Sequence, residues 1–144
     1  MLRGLSTVTY WADDLEAARE WYTELLGAAP YFERTGPDGK PAYLEFRIGD
    51  YQHELGLVDR RYAPTGTSDQ PGGHITYWHV DDLPAAYRRL LSLGASEHEP
   101  PTERGPGFVT ASVVDPFGNI LGVMHNQHYL DVLARISAEG RHPR

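Results

Sequence analysis

The chain of 144 residues contains no cysteine. Disulfide bonds, cysteine-ligated metals and thiol nucleophiles are therefore excluded. No apolar run reaches the length of about 18 residues that a membrane-spanning helix needs, and residues 1–5 do not form an apolar signal segment. These absences predict a protein of the cytoplasm with no membrane partner.

Basic residues are also scarce. The chain has 13 Lys and Arg against 20 Asp and Glu, which gives a formal net charge of −7. Adjacent basic residues occur only as Arg60-Arg61 and Arg88-Arg89. A partner with a phosphate backbone would require a basic patch, so nucleic acid is not expected as a partner. The length and the hydrophobic content of 40% fit a single domain, residues 1–144, with a sizeable core.

An internal repeat spans roughly half of the chain. Three short motifs occur twice in the same order: Thr-Tyr-Trp at 9–11 and 76–78, Asp-Asp-Leu at 13–15 and 81–83, and Leu-Gly at 26–27 and 93–94. A period this long indicates two copies of one supersecondary unit, because solenoids are built from several shorter repeats.

Each copy predicts the same series of elements. Alternating β-branched and aromatic residues predict an opening strand at 5–12 and again at 75–80. An Asp pair then caps an amphipathic helix that ends at Gly27 or Gly94, and turn-rich extended segments follow. The prediction is an α+β fold of two tandem βαβββ modules, at about 5–58 and 74–126, with a linker at 59–73 and a C-terminal helix at about 127–138.

These features, together with the Asp-Pro-Phe-Gly-Asn turn at 115–119, resemble the vicinal oxygen chelate superfamily, which includes glyoxalases, bleomycin resistance proteins and ring-cleaving dioxygenases. The resemblance covers residues 5–126. It implies a cupped mixed sheet in which two modules surround one cavity, commonly within a homodimer. It also implies a divalent metal held by a His on the first strand and a carboxylate on the last strand of each module.

The metal ligands of the family carry over only in part. The first-strand positions fall on Thr7 and His74, and the last-strand position of the second module falls on Gly122. The repeat matches Gly122 with Gly56, although Glu54 has the same strand parity. Hydroxyl and glycine are unsuitable ligands, so only His74 and Glu54 remain, and a stable site normally needs three. We expect no cofactor, while a divalent metal bound through a variant ligand set stays the alternative.

The position of His74 depends on the register of the second opening strand. A bulge at Trp78-His79 would keep Ile75 and Tyr77 on the side of the helix and turn His74 toward the cavity. The same bulge would point His79 into the cup. His74 and His79 are therefore the candidates for an acid–base role.

The cup itself is predicted to bind a ligand. Glycines at 56 and 122 would widen it, and Trp11 and Trp78 would provide flat apolar walls. The alternative is that both tryptophans fill the core or a dimer interface. The predicted ligand contacts are Thr7, Thr9, Trp11, Glu54, His74, Thr76, Trp78 and His79.

Three functions are compatible with these residues. The leading hypothesis is a protein that binds a small organic molecule in the cup without the family metal. The first alternative is a metal-dependent lyase, isomerase or dioxygenase. The second is cofactor-free catalysis, with His74 or His79 as proton acceptor and a tyrosine as donor.

Overall fold

The computed structural model describes residues 1–140, so His142, to which the sequence assigns no role, lies outside them. The chain divides into two compact units between Asp69 and Gln70, within the predicted linker. Each unit has a four-stranded mixed sheet and a helix that follows its first strand, which confirms the α+β fold of tandem βαβββ modules. In residues 1–140 no helix is long and apolar enough to cross a membrane.

The first unit contains β1 (Thr7–Ala12), α1 (Leu15–Leu26), β2 (Phe32–Thr35), β3 (Pro41–Ile48), β4 (His53–Asp59) and a 3-10 turn (Arg60–Tyr62). Its strands lie in the order β1-β4-β3-β2. β1 runs parallel to β4, and the other pairs are antiparallel.

Helix α1 covers one face of this sheet. The Asp14 carboxylate caps it by accepting a 3.1 Å hydrogen bond from the backbone N–H three residues on, and Gly27 ends it in the left-handed region at φ 69°. Tyr22 of α1 is fully buried, with its ring centroid 6.2 Å from that of Tyr10 and 6.4 Å from that of Phe46. The core of the unit therefore lies between α1 and the apolar face of the sheet.

The opposite face of this sheet, called the far face below, carries mostly polar and aromatic side chains. Strand alternation assigns residues to it because successive side chains point to opposite faces. Val8 and Tyr10 are buried toward α1, whereas the residues that alternate with them, Thr7, Thr9 and Trp11, are exposed or half-buried. The far face carries Thr7, Thr9, Trp11, Tyr43, Glu45, Arg47, Glu54 and Gly56.

The second unit contains β5 (Thr76–His79), α2 (Leu83–Ser92), β6 (Ser96–Gly105), β7 (Phe108–Val114), β8 (Ile120–Asn126) and α3 (Gln127–Ala138). Its strands lie in the order β5-β8-β7-β6, which repeats the topology of the first sheet. Asp82 caps α2, as Asp14 caps α1. Asp115 organises the turn from β7 to β8 by accepting hydrogen bonds from the backbone N–H groups of Phe117 and Asn119, at 2.9 and 2.8 Å.

The predicted bulge in the second opening strand is wrong. Consecutive residues of β5 pair with consecutive residues of β8: Thr76 with Leu121, Tyr77 with Gly122, Trp78 with Val123 and His79 with Met124. Within β1 the residue that pairs with the equivalent glycine, Gly56, is Thr9. The first residue of Thr-Tyr-Trp therefore faces the glycine in the first unit, and the second residue does so in the second unit. The two strands differ by a register shift of one residue, without an inserted residue.

Candidate functional site

The first unit brings four of the predicted ligand contacts onto one surface. Thr7, Thr9 and Trp11 alternate along β1 on the far face, and Glu54 lies beside Thr7 on β4. Thr7 and Thr9 are exposed, and Trp11 and Glu54 are half-buried. The structure thus places these residues together, while their contact with a ligand stays a prediction.

A second carboxyl group lies next to Glu54. Glu45 on β3 pairs with Gly56, and Arg47 pairs with Glu54, so the two glutamates are diagonal neighbours on the far face. Glu45 is only 9% exposed. Burial, and then its hydrogen bond to Glu54, raise the pKa of Glu45, whereas the same bond lowers the pKa of Glu54. The two carboxyl groups are therefore coupled, and Glu45 is the one that holds a proton more strongly.

Tyr31 and Arg47 complete the polar part of the surface. The Tyr31 hydroxyl donates a 3.0 Å hydrogen bond to Oε1 of Glu54. Desolvation, and then this bond, raise the pKa of Tyr31 to about 12, so it remains a donor at physiological pH. The Arg47 guanidinium lies 4.0 Å from the centre of the Tyr31 ring, and its positive charge contributes to the lowered pKa of Glu54.

Aromatic side chains surround the carboxyl pair. The rings of Phe32 and Tyr43 meet edge to face, with centroids 6.2 Å apart. Tyr31 and Phe32 are each 42% exposed, which is high for large apolar side chains. The first unit therefore presents a partly exposed aromatic surface beside a hydrogen-bonded carboxyl pair.

The two glycines do not widen a cup, contrary to the prediction. A Cβ atom on Gly56 would lie 2.8 Å from Cε2 of Tyr43, and a Cβ atom on Gly122 would lie 2.6 Å from Cδ1 of Tyr77. In each sheet a tyrosine ring occupies the space that a side chain would need. The absence of a side chain at each glycine lets the tyrosine ring pack closely against the backbone.

Two predicted contacts in the second unit lie on the wrong face. Thr76 and Trp78 pair with Leu121 and Val123, which are buried, so they point to the side of α2. Tyr77, which the sequence placed toward the helix, instead packs against Gly122. Trp78 is therefore half-buried on the side of α2, opposite the face of Gly122 on which the sequence predicted the second ligand wall.

His79 is held in the interior of the second unit. Its side chain is 9% exposed, and its ring stacks on Tyr129 of α3, with centroids 4.7 Å apart and planes at 13°. Nδ1 accepts a 3.2 Å hydrogen bond from the Asn126 N–H, which places the proton of the neutral ring on Nε2, 3.5 Å from Oδ1 of Asp81. These contacts dock α3, and the catalytic role of His79 stays a prediction.

His74 is exposed and precedes β5. The bulge that would have turned it toward the face of Gly122 does not occur in the strand that follows, and regular alternation gives it the parity of Thr76. Its roles in catalysis and ligand binding therefore stay predictions without the register argument that supported them.

The donor set does not fit the metal that the fold family implies. Within residues 1–140, no three His, Asp or Glu side chains are grouped so that they could hold a metal ion. Glu54, one of the two residual candidates, already accepts a hydrogen bond from Tyr31 and is paired with Glu45. A site of the family type needs three protein ligands in one place.

A separate cavity of about 550 Å³ lies at the start of α1. It is lined by both acidic and basic groups, including Asp13, Lys40 and Arg61. The Arg61 guanidinium is already bound by Asp38 at 2.8 Å and by Asp59 at 3.0 Å. The positive charge of Arg61 is thus neutralised by two carboxylates of the same chain and is not available to an anionic ligand. The far face is therefore the better candidate site.

The sequence prediction missed Glu45, Tyr43 and Arg47. The signal is present in the sequence, because Leu44, Phe46 and Ile48 alternate along β3, which places the residues between them on the other face. Tyr31 and Phe32 carried no such signal, since they lie in a short segment with no apolar alternation.

Residues 4–123 match the family profile of the Glyoxalase/Bleomycin resistance protein/Dioxygenase superfamily. Among solved structures, a glyoxalase-related enzyme from Fulvimarina pelagi has a TM-score of 0.68 and 21% identity, covering 88% of this chain and 90% of that one. An antibiotic binding protein from a Streptomyces species has a TM-score of 0.63 and 24% identity, covering 85% and 94%. The two structures support the fold. The chain matches no protein of curated function.

Proposed function

The chain belongs to the Glyoxalase/Bleomycin resistance protein/Dioxygenase superfamily, and from this premise we propose that it binds a small planar organic molecule on the far face of its first sheet, without a metal. The observation that carries the proposal is the combination of exposed aromatic rings with two neighbouring carboxyl groups, buried Glu45 and half-buried Glu54, on one surface. Apolar walls with a few convergent polar groups are typical of small-molecule sites.

The chemistry of this surface favours binding over metal-assisted catalysis. Tyr31, Phe32 and Trp11 offer flat faces on which a planar molecule can stack. Thr7 and Thr9 add hydroxyl groups that donate or accept hydrogen bonds. The antibiotic-binding relative is one member of the fold described as a binder, which agrees with a role in binding.

Binding of Nile red, a neutral planar dye whose fluorescence rises in an apolar site, tests this proposal. Phe32→Ala removes one exposed ring and is expected to weaken dye binding about tenfold, because burying a Phe side chain contributes about 1.5–3 kcal/mol. Tyr62→Ala is the matched control, since Tyr62 is 43% exposed but lies in the 3-10 turn, whose contacts are with Arg61 rather than with the carboxyl pair. Equal losses in both variants would refute the site.

Trp11→Ala and Trp78→Ala form a second comparison. Trp11 lies on the far face and Trp78 on the side of α2, so only the first substitution is expected to weaken dye binding. Treatment of the protein with a chelator is expected to leave the affinity unchanged. Loss of binding after chelation, restored by a divalent ion, would favour the metal-dependent enzyme instead.

We also propose that the protein is a cytoplasmic homodimer. Native mass spectrometry of untreated protein reports subunit number, bound metal and retained organic mass in one spectrum. A metal-free dimer is the expected result. A monomer would remove the dimer from the proposal, and one transition-metal ion per chain would overturn the metal-free site.

A further inference from the structure

We propose that the second unit carries a separate site for the carboxylate group of an organic monoanion, built by His98 and Arg104 of β6. The site lies on a different sheet from the far face, so the inference goes beyond the proposed function and does not depend on it. The observation behind it is that two bulges of β6 aim two basic side chains at two buried hydroxyl groups.

Strand β6 lies at the edge of its sheet and pairs irregularly with β7. At 97–99 and again at 103–105, two steps along β6 match a single step along β7. His98 and Arg104 are therefore the extra residues of two β-bulges. A bulge takes its extra residue out of the regular alternation, and bulges are frequent beside functional sites because they re-aim a side chain.

Both extra residues bind hydroxyl groups of β7. Nδ1 of His98 forms a 2.7 Å hydrogen bond with Oγ of Ser112, which is fully buried. Nε of Arg104 donates a 3.0 Å hydrogen bond to Oγ1 of Thr110, which is 9% exposed. The two hydroxyl residues alternate along β7 on the face of Gly122, about 7 Å apart. The imidazole and the guanidinium are thus held over neighbouring positions of one face.

The outer nitrogen atoms of these two side chains have no protein partner. His98 is exposed, and the side chain of Arg104 is 49% exposed. In residues 1–140 no hydrogen bond engages Nε2 of His98 or Nη1 of Arg104. Side chains that buried groups already orient lose little conformational freedom when a ligand binds. The pair is therefore preorganised for a ligand that accepts hydrogen bonds at two points, as the two oxygen atoms of a carboxylate do.

Few charged groups share this face. Glu99 of β6 points to the face of Gly122 and binds Nη2 of Arg104 at 3.0 Å. Glu97 and Glu103 pair with residues that point to the side of α2. The side chains that β7 and β8 place on the face of Gly122 are uncharged: Phe108, Thr110, Ser112, Val114, Ile120, Met124 and Asn126.

The sum of these charges favours a monoanion. From β5 the face receives Tyr77 and His79, and the side chain of His79 is 9% exposed beneath α3. Arg104 and Glu99 offset each other, so a protonated His98 leaves one positive charge. A single carboxylate balances this charge, whereas a phosphate dianion exceeds it. The cavity at the start of α1 differs, because two carboxylates bind its guanidinium.

Binding of a carboxylate should therefore take up a proton. Imidazole changes its charge between pH 5 and 8, whereas the guanidinium of Arg104 stays charged throughout. The affinity should rise as the pH falls from 8 to 6, by up to about tenfold for each pH unit. If His98 and Arg104 only satisfy the buried hydroxyl groups, no such rise appears.

Three planar probes test the charge of the ligand: benzoate, benzamide and phenyl phosphate. Chemical shifts of the backbone amides of β6 and β7 report binding at each pH. Benzoate is expected to bind at least about tenfold more tightly than benzamide at pH 6, because only benzoate forms hydrogen bonds between charged partners. Phenyl phosphate, mostly a dianion at pH 7, is expected to bind no more tightly than benzoate there.

Variants assign the effect to the two bulges. Arg104→Gln should weaken benzoate at least about tenfold and leave benzamide unchanged. His98→Gln keeps a hydrogen-bonding side chain but cannot be protonated, so it should remove the pH dependence. Arg88→Gln and His128→Gln are the matched controls, because both residues are exposed on helices of the same unit. Circular dichroism checks that each variant is folded, and either bulge variant alone keeps the test valid.

Four results would overturn the inference. Equal binding of benzoate and benzamide would remove the anion, and tighter binding of phenyl phosphate would remove the monoanion. Equal losses in Arg104→Gln and Arg88→Gln would indicate general surface charge. Benzoate shifts confined to the amides of β1–β4 would refute the site on β6. Failure of Nile red to bind would remove the proposed function and leave this inference standing, because the dye is neutral and is assigned to the first sheet.

Discussion

Replacing Gly122 by alanine is predicted to destabilise the protein by about 2 kcal/mol, whereas the same change at Gly56 should be close to neutral. Gly56 lies in β4 and Gly122 in β8, the last strand of each unit in chain order. Both have a tyrosine ring where a Cβ atom would be. The difference comes from what else surrounds the new methyl group.

At Gly122 the Cβ atom would lie 2.6 Å from Cδ1 of Tyr77, 2.8 Å from the backbone oxygen of Thr76 and 2.9 Å from Cγ2 of Ile75. The backbone oxygen cannot move without breaking the pairing of β5 with β8, so overpacking costs about 3 kcal/mol. At Gly56 every near atom belongs to the outer part of the Tyr43 ring, which can swing aside for about 1 kcal/mol. Alanine gains about 0.5–1 kcal/mol over glycine in a strand, which offsets the smaller cost.

Urea unfolding followed by circular dichroism measures both changes in the free energy of unfolding. Gly72→Ala is the control, because a Cβ atom there would meet nothing within 4 Å. Adding Tyr43→Ala should abolish the remaining cost at Gly56, while Tyr77→Ala should leave most of the cost at Gly122. Equal destabilisation at both glycines, or full rescue by Tyr77→Ala, would refute the assignment of the clash to the backbone oxygen.

Three further predictions concern caps and charges. Asp14→Ala should lower the free energy of unfolding by about 1 kcal/mol in thermal denaturation, because it removes the cap of α1. Hydrogen bonds from Arg61 hold the pKa of Asp59 below its ordinary value of 3.8. The stability that this pair contributes is therefore present above pH 3.8 and is lost as the pH falls through the lower pKa of the folded state. Unfolding curves of the wild type and of Asp59→Asn should converge in acid. The pKa of Glu45 is raised, so its contribution to stability is present below its ordinary pKa of 4.5 and is lost as the pH rises through the folded value. Glu45→Gln should therefore gain stability relative to the wild type as the pH rises above 4.5, and a difference that does not change with pH would contradict this.

The order of elements could be predicted from the sequence because local signals agree with one another. The Asp pairs and the terminal glycines specified α1 and α2, and the alternation of apolar residues specified most strands. The choice of Asp14 over Asp13, and of Asp82 over Asp81, as the N-cap needed the structure, because either neighbour of such a pair can cap a helix.

The site was predictable only where one strand's alternation decided the face. This was so for Thr7, Thr9 and Trp11, whose neighbours are clearly apolar. It failed for β5, where every residue is half-buried and neither face is marked by hydrophobicity. The Glu45–Glu54 pair required the register of two antiparallel strands, which follows from the turn between them and is not encoded in either strand alone.

The unbroken pairing of β5 has a consequence for how duplicated halves diverge. The tripeptide Thr-Tyr-Trp occurs in both copies, yet in the first its tryptophan lies on the far face and in the second it lies on the side of α2. An alignment of the two halves by sequence equates Trp11 with Trp78, while the backbone equates Trp11 with His79. A register shift of one residue therefore places the two tryptophans on opposite sides of their sheets. Positions that correspond in sequence no longer correspond in space in these two strands.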